Sequence, residues 1–237
     1  MTVDVLSLAA HPDDTEITAG GLLLTLKHRG HTTGAIDFTK GEFGSNGTAA
    51  DRMAECDAAT KILELDVRIN LGFPDGHLSS YDTEAMKETV VKHLRTLKPK
   101  LLILPDRNFR HPDHGVVARI GHDAWFYAGL AKYISEVPPH RPKLVVYTPQ
   151  HRKTEVSFIV NVSDVAEKKL EAIAAYRSQL FSDNEKRTET PLAHADFLER
   201  IRASMRHYGA MIGAAYGEPY YMDSPVPLND VFGGLGL

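Results

Sequence analysis

Val3-Asp4-Val5-Leu6-Ser7-Leu8-Ala9-Ala10-His11-Pro12-Asp13-Asp14 is an apolar run that stops abruptly in a histidine, a proline and two carboxylates. A short run of this kind, bounded by turn residues, reads as a strand covered on both faces. The pattern returns about a hundred residues later. Leu101–Pro105 is again apolar, and Arg110-His111-Pro112-Asp113-His114 follows it. Two strand ends thus carry histidine and aspartate around a proline.

The chain between and beyond these points alternates the same way. Strands are expected at Val3–Ala10, Thr33–Thr39, Val67–Phe73, Leu101–Pro105, Lys143–Thr148 and Ser157–Val162. Helices are expected at Asp14–Arg29, Ala49–Leu65, Thr83–Lys98, Asp113–Gly129, Val165–Gln179 and Pro191–Ile212. Strand–helix–strand repetition implies right-handed crossovers. The expected fold is α/β and Rossmann-like: a mostly parallel sheet with helices on both faces, in one domain over residues 1–237. Ser135–Pro142 and Phe181–Thr190 read as loops. After Ser135–Pro142 the alternation loosens, so the last third is expected to depart from the parallel pattern. The tail after Tyr216 shows little periodicity and is expected to wrap the body or a neighbouring subunit.

Composition narrows the function classes. With 43% hydrophobic residues the 237-residue chain can bury a sizeable core. A net charge of −4 with interspersed signs argues against nucleic acid as partner. No apolar run reaches the roughly 20 residues of a membrane span, and the N-terminus has neither the basic region nor the cleavage site of a signal peptide. The single cysteine, Cys56, excludes an intrachain disulfide and suits a reducing cytoplasm. It falls at helical spacing with Met53, Thr60 and Leu63, the place of a core residue rather than a nucleophile.

In open α/β sheets, sites form beyond the carboxyl ends of strands. Pro12 and Pro112 are expected at first helical positions, where the missing N–H costs nothing. His11 and Asp14, and likewise His111 and His114, would then stand three apart and face one way. A catalytic zinc site usually keeps three protein ligands and an open position. The metal acidifies a bound water from pKa 15.7 to about 7. His11, Asp14, His111 and His114 offer four ligands for three positions, and the histidine left over suits proton donation or oxyanion stabilisation. Asp13, beside Asp14 but pointing elsewhere, suits the general base. Helix capping is the competing reading for either motif alone. The same donors would also take iron or manganese. His28, His31, His93, His140 and His151 read as surface residues. Gly20-Gly21 lacks a GxGxxG context and sits beside Asp13 and Asp14, which would repel a phosphate, so it reads as close packing. Gly41–Gly47 reads as an active-site loop.

Ala10-His11-Pro12-Asp13-Asp14-Thr15-Glu16 with Gly20-Gly21 resembles the first motif of the LmbE-like (PIG-L-type) zinc N-deacetylases, and His111-Pro112-Asp113-His114-Gly115 resembles the second. Thr39–Glu42, Asn70–Gly76 and Arg52 also look like family segments. Trp125–Leu130, Ala175–Gln179 and Ile212–Pro219 resemble the branch acting in bacillithiol biosynthesis. The resemblance implies His11, Asp14 and His114 as zinc ligands and Asp13 as base. It implies His111 as oxyanion stabiliser or acid. The implied substrate is the small amino-sugar conjugate N-acetylglucosaminyl malate, which loses acetate, and the implied assembly is a homo-oligomer. Arg52 and Arg110 are candidates for the malate carboxylates, since guanidinium forks fit carboxylates. His194 and Tyr216 are candidates for a further oxyanion donor. The rival readings are a deacetylase of a mycothiol precursor or a chitooligosaccharide, and a non-catalytic sugar- or metal-binding relative.

Overall fold

β1 (Val5–Ala9) is the middle strand of a five-stranded parallel sheet ordered β3-β2-β1-β4-β5. Its neighbours are β2 (Thr33–Asp37), paired from Val5↔Thr33 to Ala9↔Asp37, and β4 (Leu101–Pro105), paired from Val5↔Leu101. β3 (Val67–Asn70) and β5 (Leu144–Thr148) form the edges. A computed structural model describes residues 1–134, 136–149, 156–180 and 188–225. Every residue of β1 and β2 is buried, which is why their sequences run apolar without alternating.

The faces are covered by different elements. Leu6 and Leu8 of β1 join Leu102 and Leu104 of β4 under α3 (Thr83–Leu97) and α4 (Pro112–Ala128). Val5 and Ile103 point the other way, to Ala19, Leu22 and Leu23 of α1 (Asp14–His28). α2 (Ala49–Ile62) is locked at its start by a capping box between Thr48 and Asp51. The sheet departs from β1 in both directions, first through β2 and β3, then across to β4 and β5. The strand order therefore reverses between β1 and β4, and a crevice opens there at their carboxyl ends.

The last third does leave the parallel pattern. β6 (Phe158–Asn161) pairs antiparallel with β7 (Gly217–Tyr220) in a separate two-stranded ribbon. β7 lies in the stretch whose sequence shows little periodicity, because four residues holding glycine, glutamate and proline carry little strand signal. Pro219 is tolerated there because the ribbon is all edge. α5 (Ala166–Ala174) ends five residues short of the expected Gln179, and α6 (Phe197–Met211) starts six residues after the expected Pro191. At that start Thr190 and Asp196 spend their side chains on local bonds to Ala193 N and His194, which favours a turn over a helix. Gly21 is where the ribbon meets α1. A Cβ there would sit 2.8 Å from Val162 Cγ1, and Glu218 accepts from Gly21 N and Leu22 N. Close packing thus accounts for this glycine, as expected.

No described helix is long and apolar enough to cross a membrane. His28 and His31 are exposed, whereas His93 and His140 are half-buried, the latter with Nε2 against Pro99 O. His151, most of the expected loop Phe181–Thr190 and the tail beyond residue 225 lie outside the described residues.

Candidate active site

The two motifs meet at the β1/β4 crevice. Asp14 Oδ2 lies 3.4 Å from His11 Nδ1 and 3.3 Å from His114 Nε2. The ligand atoms of His11, Asp14 and His114 all fall within 4.8 Å of one another. His11, His111 and Asp113 make a second grouping that meets the same spacing, so proximity alone leaves two ways to choose three donors.

Hydrogen bonding separates them. His11 Nε2 is 2.9 Å from Asp75 Oδ1, which holds a proton on Nε2 and leaves Nδ1, on the Asp14 side, as the nitrogen that would ligate a metal displacing its proton. A carboxylate behind a ligating imidazole is the usual support of a metal histidine. His114 is held by stacking on Phe109, with ring centroids 4.1 Å apart. His111 Nδ1 instead accepts from Asp113 N at the start of α4, so its proton resides on Nε2. Its side chain is exposed and lines the cavity, as a group meeting substrate should.

The electrostatics favour a cation. Asp13, Asp14, Asp75 and Asp113 surround three imidazoles and one guanidinium. Burial opposes a charged His11, yet bonds to Asp113, Asp14 and Asp75 raise its pKa well above the usual histidine value. Burial likewise opposes ionised Asp14, but the His114 and His11 imidazoles hold its carboxyl far below the usual carboxylate range. His114 is pushed down to about 4 by burial, which keeps it neutral and able to donate a lone pair. Buried Asp113 accepts from Gly76 N at Oδ2, while its Oδ1 has no hydrogen-bond partner among the described residues. Two imidazoles, one ionised carboxylate and surplus negative charge suit a divalent cation such as zinc.

Asp13 departs from the expected geometry. α1 begins at Asp14, so Pro12 precedes the helix instead of opening it, while Pro112 does open α4. Asp13 takes φ 109°, a left-handed conformation that aspartate adopts at some cost. This turns its carboxylate from the helix end onto Arg52 Nη2, 2.6 Å away. Burial pushes Asp13 up to about 7, against the pull of the Arg52 guanidinium. Arg52 also donates to Pro12 O from Nε and Nη2. It is buried, and its fork faces the chain itself rather than solvent, although it lines the cavity. Arg110 stands exposed on the cavity rim.

The cavity encloses about 430 Å³ and runs from the histidine–aspartate cluster to α6. Phe197, Ile201, Met205 and Tyr208 of α6 line its far side, with the buried Lys169–Glu218 ion pair. Neither His194 nor Tyr216 lines it: His194 pairs with Asp196 on the surface, and Tyr216 contacts Arg202. Phe43, Gly44 and Ser45 from the glycine-rich loop do line it. The guanidinium of Arg52 fits under this loop, only 3.1 Å from where a Cβ on Gly41 or Gly44 would stand. Cys56 is a core residue, its thiol pushed up to about 12 by burial. Asp75 lies in the Asn70–Gly76 stretch that carries part of the resemblance, but its role behind His11 was not legible because Pro74-Asp75-Gly76 looks like any turn; its place there depends on β3 and β1 ending on the same side.

The profile of the family described as PIG-L, GlcNAc-PI de-N-acetylase, matches residues 6–125. The chain belongs to the PIG-L family. The match runs from β1 into α4 and so contains His11, Asp14, His111 and His114. The α6 wall of the cavity lies outside it. Among PIG-L relatives, the diacetylchitobiose deacetylase of Thermococcus kodakarensis is 30% identical over 90% of this chain and 80% of its own. A probable N-acetyl-α-D-glucosaminyl L-malate deacetylase of Bacillus cereus is 26% identical over 74% of this chain and 83% of its own. The crystal structure of the conserved protein TT1542 from Thermus thermophilus superposes with a TM-score of 0.86 at 35% identity, over 95% of this chain and 97% of that one.

Proposed function

We propose that the chain is a zinc-dependent hydrolase that removes the N-acetyl group from an N-acetylglucosamine conjugate. The observation that carries this reading is Asp14 between two imidazole nitrogens, with Asp13 held separately by Arg52 at one end of a ligand-sized cavity. His11, Asp14 and His114 would hold the metal, which when bound polarises the acetyl carbonyl and acidifies water. Asp13 takes the proton of the attacking water; burial raises its pKa from the usual carboxylate range, the direction a general base needs. His111 presents Nε2–H to the oxygen on which negative charge develops. Collapse breaks the carbon–nitrogen bond, the proton passes to the amine, and acetate and free amino sugar leave.

Within this class the substrate proposed from the sequence resemblance is N-acetylglucosaminyl malate. Arg110, exposed on the cavity rim, is the guanidinium proposed to meet the malate carboxylates. Diacetylchitobiose is the second reading, favoured by the higher identity of the Thermococcus relative and the larger share of this chain that it matches. Acetate release from both compounds and from a mycothiol precursor, with and without chelator, tests the proposal. Release from at least one that stops with chelator and returns with zinc supports it. No release from any, with metal bound, overturns it in favour of a non-catalytic binding protein.

A further inference from the structure

Phe43 is the most exposed aromatic side chain described, at 72%, yet it is not loosely held. Its ring backs onto Gly76, where a Cβ would stand 3.3 Å from Phe43 Cδ1, and its edge meets His77 with centroids 5.6 Å apart. Gly76 takes φ 71°, a conformation that suits glycine and leaves its α-carbon bare under the ring. The backbone is tied as firmly. Phe43 N donates to Asp75 Oδ2 at 2.8 Å, and Asp75 Oδ1 is the oxygen that holds His11 Nε2. Glu42 in turn accepts from Asp75 N. One carboxylate thus fixes both a candidate metal ligand and an aromatic ring on the cavity lining, at a set separation.

An aromatic ring that lines a cavity and is tied in place by its neighbours offers a fixed apolar face to whatever fills the cavity. Its face is mildly negative, with Glu42 and Asp75 beside it, so it suits C–H groups and disfavours an anion. The flat C–H face of a pyranose meets these conditions, and a dicarboxylate does not. Given an amino-sugar substrate, as argued above, we propose that Phe43 is the platform for a second sugar ring attached to the N-acetylglucosaminyl unit. On this inference the second of the two substrate readings, diacetylchitobiose, is preferred over the malate conjugate.

The test compares wild type, Phe43→Ala and Phe43→Trp on N-acetylglucosamine, N,N'-diacetylchitobiose and N-acetylglucosaminyl malate. Phe43→Ala is expected to raise KM for the disaccharide about tenfold more than for the monosaccharide, with kcat on the two altered by the same factor. Phe43→Trp is expected to restore the preference. Equal KM changes on mono- and disaccharide, or a loss confined to the malate compound, overturns the proposal. A second readout needs no turnover. The chain has one tryptophan, Trp125, which does not line the cavity. In Phe43→Trp with metal bound, chitobiose, the fully deacetylated disaccharide, should shift emission to the blue relative to wild type. A shift without any acetate release keeps the platform while the hydrolase reading falls; turnover without a shift removes the platform and leaves the hydrolase.

Discussion

His11-Pro12-Asp13-Asp14 and His111-Pro112-Asp113-His114 look interchangeable on paper and sit at the ends of adjacent strands, yet their backbones differ. In the second, Pro112 opens α4, and the His111 ring caps it by accepting from Asp113 N. In the first, the helix starts two residues later, Pro12 stays outside it, and Asp13 occupies the cap position without capping. The left-handed turn at Asp13 frees its carboxylate for Arg52. One motif is thus a well-capped helix start that supplies imidazoles. The other gives up its cap to place two carboxylates back to back, one toward the imidazoles and one toward a guanidinium. The lesson is that a cap left unmade at a strand end marks a side chain held for another task.

Removing the point where the motifs meet should have the largest effect. His114→Ala is expected to lose most bound zinc and essentially all turnover; full occupancy by elemental analysis would break the ligand assignment. Asp13→Asn should keep stoichiometric zinc but lower kcat about 10²-fold or more, as for a lost general base. Near-normal turnover would make the two motifs equivalent after all. Asp75→Ala, which takes the support from His11 but not from His114, should weaken zinc affinity about 10–100-fold in a chelator competition. Arg52→Ala should lower kcat about tenfold, to the same extent on a neutral and a carboxylate-bearing substrate, because Asp13 loses its anchor. A loss confined to the carboxylate-bearing substrate would return Arg52 to substrate binding. Least affected should be Pro112→Ala, with about 0.4–1 kcal/mol of stability lost in a urea titration and no change in metal content.

The paired motifs carried the fold and the place of the site in the sequence, because continuous apolar strands followed by helix starts leave few topologies open. The convergence of His11, Asp14 and His114 follows from β1 and β4 being sheet neighbours at the point of reversal. What stayed hidden depends on backbone detail or distant pairing. The left-handed turn at Asp13 has no sequence signal beyond aspartate itself. Arg52 looked available for a ligand because its true partner, a carbonyl 40 residues earlier, shows only in three dimensions. β7 has too few strand-forming residues to be seen without β6 beside it. The α6 wall was legible as a helix, but nothing in its spacing shows which ligand-facing residues it brings to the cavity.

The donors of the candidate metal centre come from stretches that lie far apart along the chain, one closing β1 and the other opening α4. An ion gripped by both would act as a reversible clasp between early and late segments of the sheet, favouring the native state by mass action in proportion to its free concentration. Cells short of the metal would then hold less folded protein as well as less active protein, and scarcity would show first as a lowered melting temperature.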